Sequence, residues 1–385
     1  MGYVNWVENK LSPAEYTPVS AADALAALEF WRGAPFYAPS PLVELPGAAK
    51  ELGAGALYLK DEGRRFGPGA FKLLGAGYAM ARALGASSWD EAVRSGAKRT
   101  FYTATDGNHG RAVAWCARRF GQRAVVFMPR GSARARFDAI AAEGAEVTVT
   151  DLGYDDCVRL ARDTADADPD GVLLQDTTLP GYEALPLEIM RGYGAIAAEI
   201  AGQMPAPPTH VVLQAGVGSF AGAEASALAG LYPGAEITYL VAETAAAPCL
   251  MLSAAAGEAK ICSGEIRTIM AGLACGEPST LGLRSLLCRA RFFAALPDEC
   301  AEDAMRALAR PAAGDEAVTA GESGAAGYGL LRAVMLSPEL EPLRSKAGID
   351  EHSRVLVFNT ETATDPENYE RIVRNIAGHT PSKDV

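Results

Sequence analysis

The sequence predicts an α/β protein built as two open, doubly wound domains. Three observations carry that expectation. Strand-length apolar runs alternate with helix-length runs through most of the chain. The strand-length runs are apolar throughout, as in parallel sheets covered on both faces. Several end in turns of Gly, Asp and Asn that open into a helix, which is where such folds bind ligands. With 385 residues, 49% hydrophobic and 21% charged, the chain can fill the cores of two or three domains.

Residues 1–20 read as an irregular arm with aromatic anchors. Ser20 with Asp23 has the form of a helix start, and the helical pattern runs over 21–31. Pro35, Pro39, Pro41 and Pro46 mark an extended crossing. A strand over 56–60 leads into a Gly/Pro turn and a helix over 70–84, on which Gly75 and Gly77 permit close packing. Strands follow over 99–104, 123–128, 146–150 and 171–175, with helices over 109–120, 132–143 and 155–165 between them. A second run has helices over 186–203 and 220–231, strands over 210–214 and 236–241, and a last buried strand over 354–358. The tail over 380–385 is polar and expected to fray.

The net charge of −12 argues against nucleic acid and anionic membrane as partners. No apolar run reaches the ~20 residues of a membrane span, and residues 1–10 lack a signal-peptide pattern, so a cytoplasmic protein is expected. Seven cysteines without a C-x-x-C pair point to reduced thiols, with one bridge near Cys262 and Cys275 left open. Four scattered histidines offer no zinc pattern, and no metal is expected.

Five stretches carry chemistry. Lys72 stands at a helix start between Phe71 and Leu73, poorly placed to hold its charge unless the amine is paired or serves as a nucleophile; the alternative is a packed stem with its head in water. The turn Gln214-Ala-Gly-Val-Gly-Ser-Phe-Ala-Gly222 would present N–H groups and a helix N-terminus to a phosphate, through Gly216, Gly218 and Ser219, or would simply turn. In Thr103-Ala-Thr-Asp-Gly-Asn-His-Gly110, Asn108 suits a phenolic oxygen, and Asp106 suits a general acid or base or a helix cap. Asp176 ends a buried strand and either caps a turn or faces a substrate. The hydroxyls of Asn359-Thr-Glu-Thr-Ala-Thr-Asp365 suit a ring nitrogen or the start of a helix near Pro366.

Lys72, Asn108, the 215–219 loop and Thr364, in this order, resemble the fold-type II pyridoxal-phosphate enzymes. The words Lys60-Asp-Glu, Arg65-Phe-Gly, Ala70-Phe-Lys, Thr105-Asp-Gly-Asn-His-Gly-Arg111, Gln175-Asp-Thr, Thr268-Ile-Met-Ala-Gly-Leu-Ala-Cys-Gly-Glu277, Gly321-Glu-Ser-Gly324 and Asn359-Thr-Glu361 are similar to the diaminopropionate ammonia-lyases within that group. The resemblance implies pyridoxal 5'-phosphate in the cleft between a large domain, 1–84 with 184–385, and a small one, 85–183. It implies a homodimer acting on a small amino acid. Lys72 would bind the cofactor and take the Cα proton of an L-substrate, with Phe71 beside it. Asn108 would contact the phenolic oxygen, Gly216, Val217, Gly218 and Ser219 the phosphate, and Thr364 the ring nitrogen. Asp106 would be the acid/base for a D-substrate, and Asp176 would bind the substrate amino group. The implied reaction is α,β-elimination of 2,3-diaminopropionate through aminoacrylate to pyruvate and two ammonia. The alternative is a related lyase or a β-replacement synthase acting on another β-substituted alanine, because Pro68-Gly69, Thr177-Thr-Leu-Pro-Gly181 and Thr362-Ala363 depart from the ammonia-lyase pattern.

Overall fold

The protein, seen in a computed structural model, is described over residues 4–11, 14–105, 107–264 and 266–374. It has two sheets. The larger has seven strands in the order β1 (Asn5–Glu8), β10 (Ala290–Leu296), β9 (Thr238–Thr244), β8 (His210–Gln214), β11 (Arg354–Asn359), β3 (Ala56–Asp61) and β2 (Leu42–Glu44). The five central strands are parallel, and β1 and β2 close the two edges antiparallel. The smaller sheet is parallel throughout, in the order β6 (Glu146–Val149), β5 (Arg123–Met128), β4 (Thr100–Ala104) and β7 (Gly171–Leu173).

Successive residues of the central strands feed opposite cores. Val211, Leu213, Leu356 and Phe358 pack on one side with the helices Ala21–Arg32, Lys72–Ala83, Ala184–Gln203 and Ser219–Leu231. Val212, Val355 and Val357 pack on the other with Pro46–Leu52, Asp298–Ala309, Ala326–Leu336 and Glu341–Ala347. Both faces are therefore covered, which is why these strands carry no polar face. Gly75 and Gly192 let their two helices cross closely: a Cβ on Gly75 would lie 2.5 Å from the Tyr193 ring, and one on Gly192 2.5 Å from the Leu74 carbonyl.

The arm expected over 1–20 contains a strand instead. Asn5–Glu8 pairs with β10, whose register puts Asn5 opposite Ala295; four residues with no apolar alternation give too little local signal to reveal that partner. The seven cysteines are free thiols. Among the described residues, no helix is long and apolar enough to cross a membrane. The tail over 380–385 lies outside the described residues.

Candidate active site

Parallel strands place their carboxyl-end turns side by side, and that builds the site. β3 and β11 are neighbours, so the turn before Lys72 lies against the segment after Asn359. The Phe71 N–H donates to the Thr360 carbonyl (3.3 Å) and the Thr362 N–H to the Gly69 carbonyl (3.1 Å). Gly67 and Gly69 make the bend with φ of +74° and +69°, which a side chain would resist. Lys72 is the first residue of its helix. β8, on the far side of β11, delivers the 215–219 turn to the same end. There Gly218 caps the helix Ser219–Leu231 with φ +93°, and no acidic side chain occupies that helix's first turn.

The small sheet contributes the opposite wall. β4 leads to Asn108, the first residue of the helix Asn108–Arg119, one residue earlier than the pattern suggested. Its neighbour β7 leads to Asp176. The Gln175 side-chain carbonyl accepts from Thr103 Oγ1 (2.8 Å) and the Ala104 N–H (3.0 Å), locking the two turns together.

Several contacts cross between the walls. The Lys72 ammonium pairs with the Asp176 carboxylate, the Asn108 amide donates to Glu361, and Ser219 Oγ donates to the Asp176 carbonyl at 2.7 Å. Between them lies a cavity of about 770 Å³ lined by Phe71, Lys72, Asn108, Asp176, the 214–220 turn and Thr364. Lys72, expected in an apolar setting, thus has a partner, and its side chain keeps 20% exposure against 5% for Asp176. Burial would push the Asp176 carboxyl up, but Lys72 outweighs it and holds the group down to about 2. Phe71 packs on Phe220 and Tyr193, with ring centres 4.4 and 4.9 Å away. Asp106 lies outside the described residues.

The cradle fits a phosphate. Backbone N–H groups at the start of a 13-residue helix favour an anion. A Cβ on Gly216 would sit 3.1 Å from the Gly272 carbonyl and 3.2 Å from Cys275 Sγ, so glycine keeps the wall thin there. With an amine and an amide facing the same cavity, the residues suit pyridoxal phosphate.

Residue-by-residue reading missed Glu361, which also accepts the Ser323 N–H at 3.1 Å, and His109, whose ring is buried beside Asp176. Both stand in recognised words, Asn359-Thr-Glu361 and Asn-His-Gly, but nothing local assigns them a partner. Two other words prove to be scaffold. Arg65 pairs with Glu62 (2.6 Å) and Glu199 (2.7 Å), and Lys60 with Glu199 (2.6 Å), all fully buried below the site. Of the departures, Thr362 and Ala363 line the cavity. Gly69 instead abuts Thr362, 3.2 Å from its Cγ2 to a Cβ built on the glycine, and Thr178 accepts from the Thr280 N–H at 2.7 Å.

Comparison with known proteins agrees with this geometry. Residues 34–360 match the family described as pyridoxal-phosphate dependent enzyme. Diaminopropionate ammonia-lyase of Escherichia coli K12 is 40% identical over 383 residues, covering 96% of each chain. The Salmonella typhimurium enzyme of the same name is 40% identical over 90% of this chain and 91% of its own. The crystal structure of the E. coli enzyme with an aminoacrylate-PLP azomethine reaction intermediate superposes with a TM-score of 0.89 at 38% identity, over 97% of both chains. Maize serine racemase shares the fold at a TM-score of 0.73 and 19% identity, over 94% of this chain and 98% of its own. The chain belongs to the pyridoxal-phosphate-dependent enzymes of fold type II and, among them, to the diaminopropionate ammonia-lyases.

Proposed function

We propose that the protein eliminates ammonia from 2,3-diaminopropionate, yielding pyruvate and two ammonia. One observation carries the reading: a lysine amine and a buried carboxylate meet across a cavity whose floor is an anion cradle. When bound, pyridoxal phosphate supplies the electron sink that makes the substrate Cα–H acidic. Gly216, Val217, Gly218 and Ser219 hold its phosphate, Asn108 its phenolic oxygen and Thr364 its ring nitrogen, with Phe71 fixing the approach of Lys72. Lys72 takes the Cα proton of the L-isomer. Asp106 takes that of the D-isomer from the opposite face. Asp176 binds the substrate's amino group, which must carry a proton to leave. The walls belong to a large domain, 1–84 with 184–385, and a small one, 85–183. The enzyme works as a cytoplasmic homodimer.

The test is a substrate panel with cofactor added, assayed for pyruvate and ammonia. Both isomers of 2,3-diaminopropionate should give two ammonia per pyruvate. No pyruvate, with a new amino acid formed from a β-substituted alanine and a nucleophile, would replace this reading with a β-replacement synthase, whose different pocket Thr362 and Ala363 would help to line.

A further inference from the structure

The His109 ring is buried, with 4% exposure, and its two nitrogens have unlike surroundings. Nε2 lies 2.8 Å from the Leu174 carbonyl oxygen. A carbonyl only accepts, so Nε2 carries a hydrogen, and in the neutral ring that burial favours Nδ1 then bears a lone pair. Among the described residues Nδ1 has no hydrogen-bond partner, and it faces Asp176 Oδ2 at 4.0 Å. Two lone-pair atoms thus oppose each other in a buried site, about 1 Å beyond hydrogen-bond distance. What keeps a proton from that gap is the Lys72 ammonium, which already satisfies the carboxylate.

We propose that His109 is a positioning residue: with Asp176 it forms a socket for one shared proton, filled when Lys72 gives up its positive charge, and that proton goes to the departing β-amine. This deepens the elimination proposed above and rests on it. The step balances. The Cα–H bond breaks with its proton on the Lys72 amine, and the electrons left behind form the Cα=Cβ bond. The Cβ–N bond breaks with its pair on nitrogen, and the socket's proton joins that nitrogen as ammonia leaves. Lys72, again an ammonium in contact with Asp176, refills the socket.

The surroundings support a socket governed by Lys72. Burial lowers the His109 pKa, so the ring stays neutral while Lys72 is charged. Among the described residues, the other titratable groups facing the pair are Tyr154, Tyr182, Tyr193 and Cys275. Burial raises all four, the Cys275 thiol to about 12, so they remain neutral near pH 7.

Nitrogen NMR of ¹⁵N-histidine-labelled, cofactor-free full chain tests the socket directly, with His109→Gln to identify the signal. Wild type should show an unprotonated Nδ1 between about pH 6 and 8. Lys72→Met should move that signal toward a protonated or hydrogen-bonded nitrogen, and adding Asp176→Asn should move it back. An unchanged signal in Lys72→Met overturns the proposal. In turnover, His109→Gln should lower kcat about tenfold or more, displace a limb of its pH profile, and leave KM within about threefold. A profile of unchanged shape overturns the catalytic part. If wild type releases no pyruvate, the elimination reading fails while the NMR result still decides the socket.

Discussion

Two lysines twelve residues apart show what separates a scaffold charge from one that faces a cavity. Lys60 is fully buried and donates to the Ser40 carbonyl, Glu199 and Gln203. Glu199 in turn accepts from Tyr37, the Ser40 N–H and both terminal nitrogens of Arg65. Every charge there is matched and closed off from water, so the cluster can only hold the strand and helix in register. Among the described residues Lys72 has one ionic partner, Asp176, and it opens onto a cavity. A single exchangeable partner leaves the amine able to bond to something else. Saturation of partners, more than burial, divides the two.

The largest effect expected from breaking this contrast is at Lys72. Lys72→Ala should cut pyruvate release by about 10³-fold or more, with the chain still folded by circular dichroism. Glu199→Ala should do the reverse. It strands Arg65 and Lys60 without their counter-charge and should cost about 3–5 kcal/mol in urea unfolding, while the activity of the protein that remains folded persists.

Acid separates the regions next. The folded Asp176 carboxyl, at about 2, lies below its ordinary 3.8. Its contribution of about 2 kcal/mol is therefore complete above about pH 4 and lost as pH falls toward 2. Unfolding of cofactor-free protein across that range should show the loss, and Lys72→Ala should flatten it. Gly218→Ala forces a side chain into φ +93° and within 3.1 Å of Leu250 Cδ2. It should cost about 1–2 kcal/mol and weaken pyridoxal phosphate about tenfold in an absorbance titration. The smallest effect belongs to Thr178→Ala. It removes an exposed acceptor for the Thr280 N–H and should cost about 1 kcal/mol or less by thermal melting.

The sequence announced what is local and concealed what is distant. Lys72, Asn108 and the 216–219 turn were legible because a strand end, a special turn and a helix start are each written within ten residues. Their meeting followed from parallel pairing of β3 with β11 and of β4 with β7, which apolar patterning implies but cannot put in order. Recognised words such as Arg65-Phe-Gly marked residues of weight without saying of what kind; only the partner Glu199, 134 positions away, shows that Arg65 is scaffold. Strand β1 escaped notice because an edge strand of four residues is defined by its neighbour.

The pairing of β3 with β11 also sets an order of events on the ribosome. Ala56 waits for Arg354, so the larger sheet cannot close until most of the polypeptide has emerged. All four strands of the smaller sheet fall between Thr100 and Leu173 and are complete far sooner. Proteolysis of arrested nascent chains should therefore find 100–173 protected first. Lys72, made early, has to wait until the last strand arrives beside it.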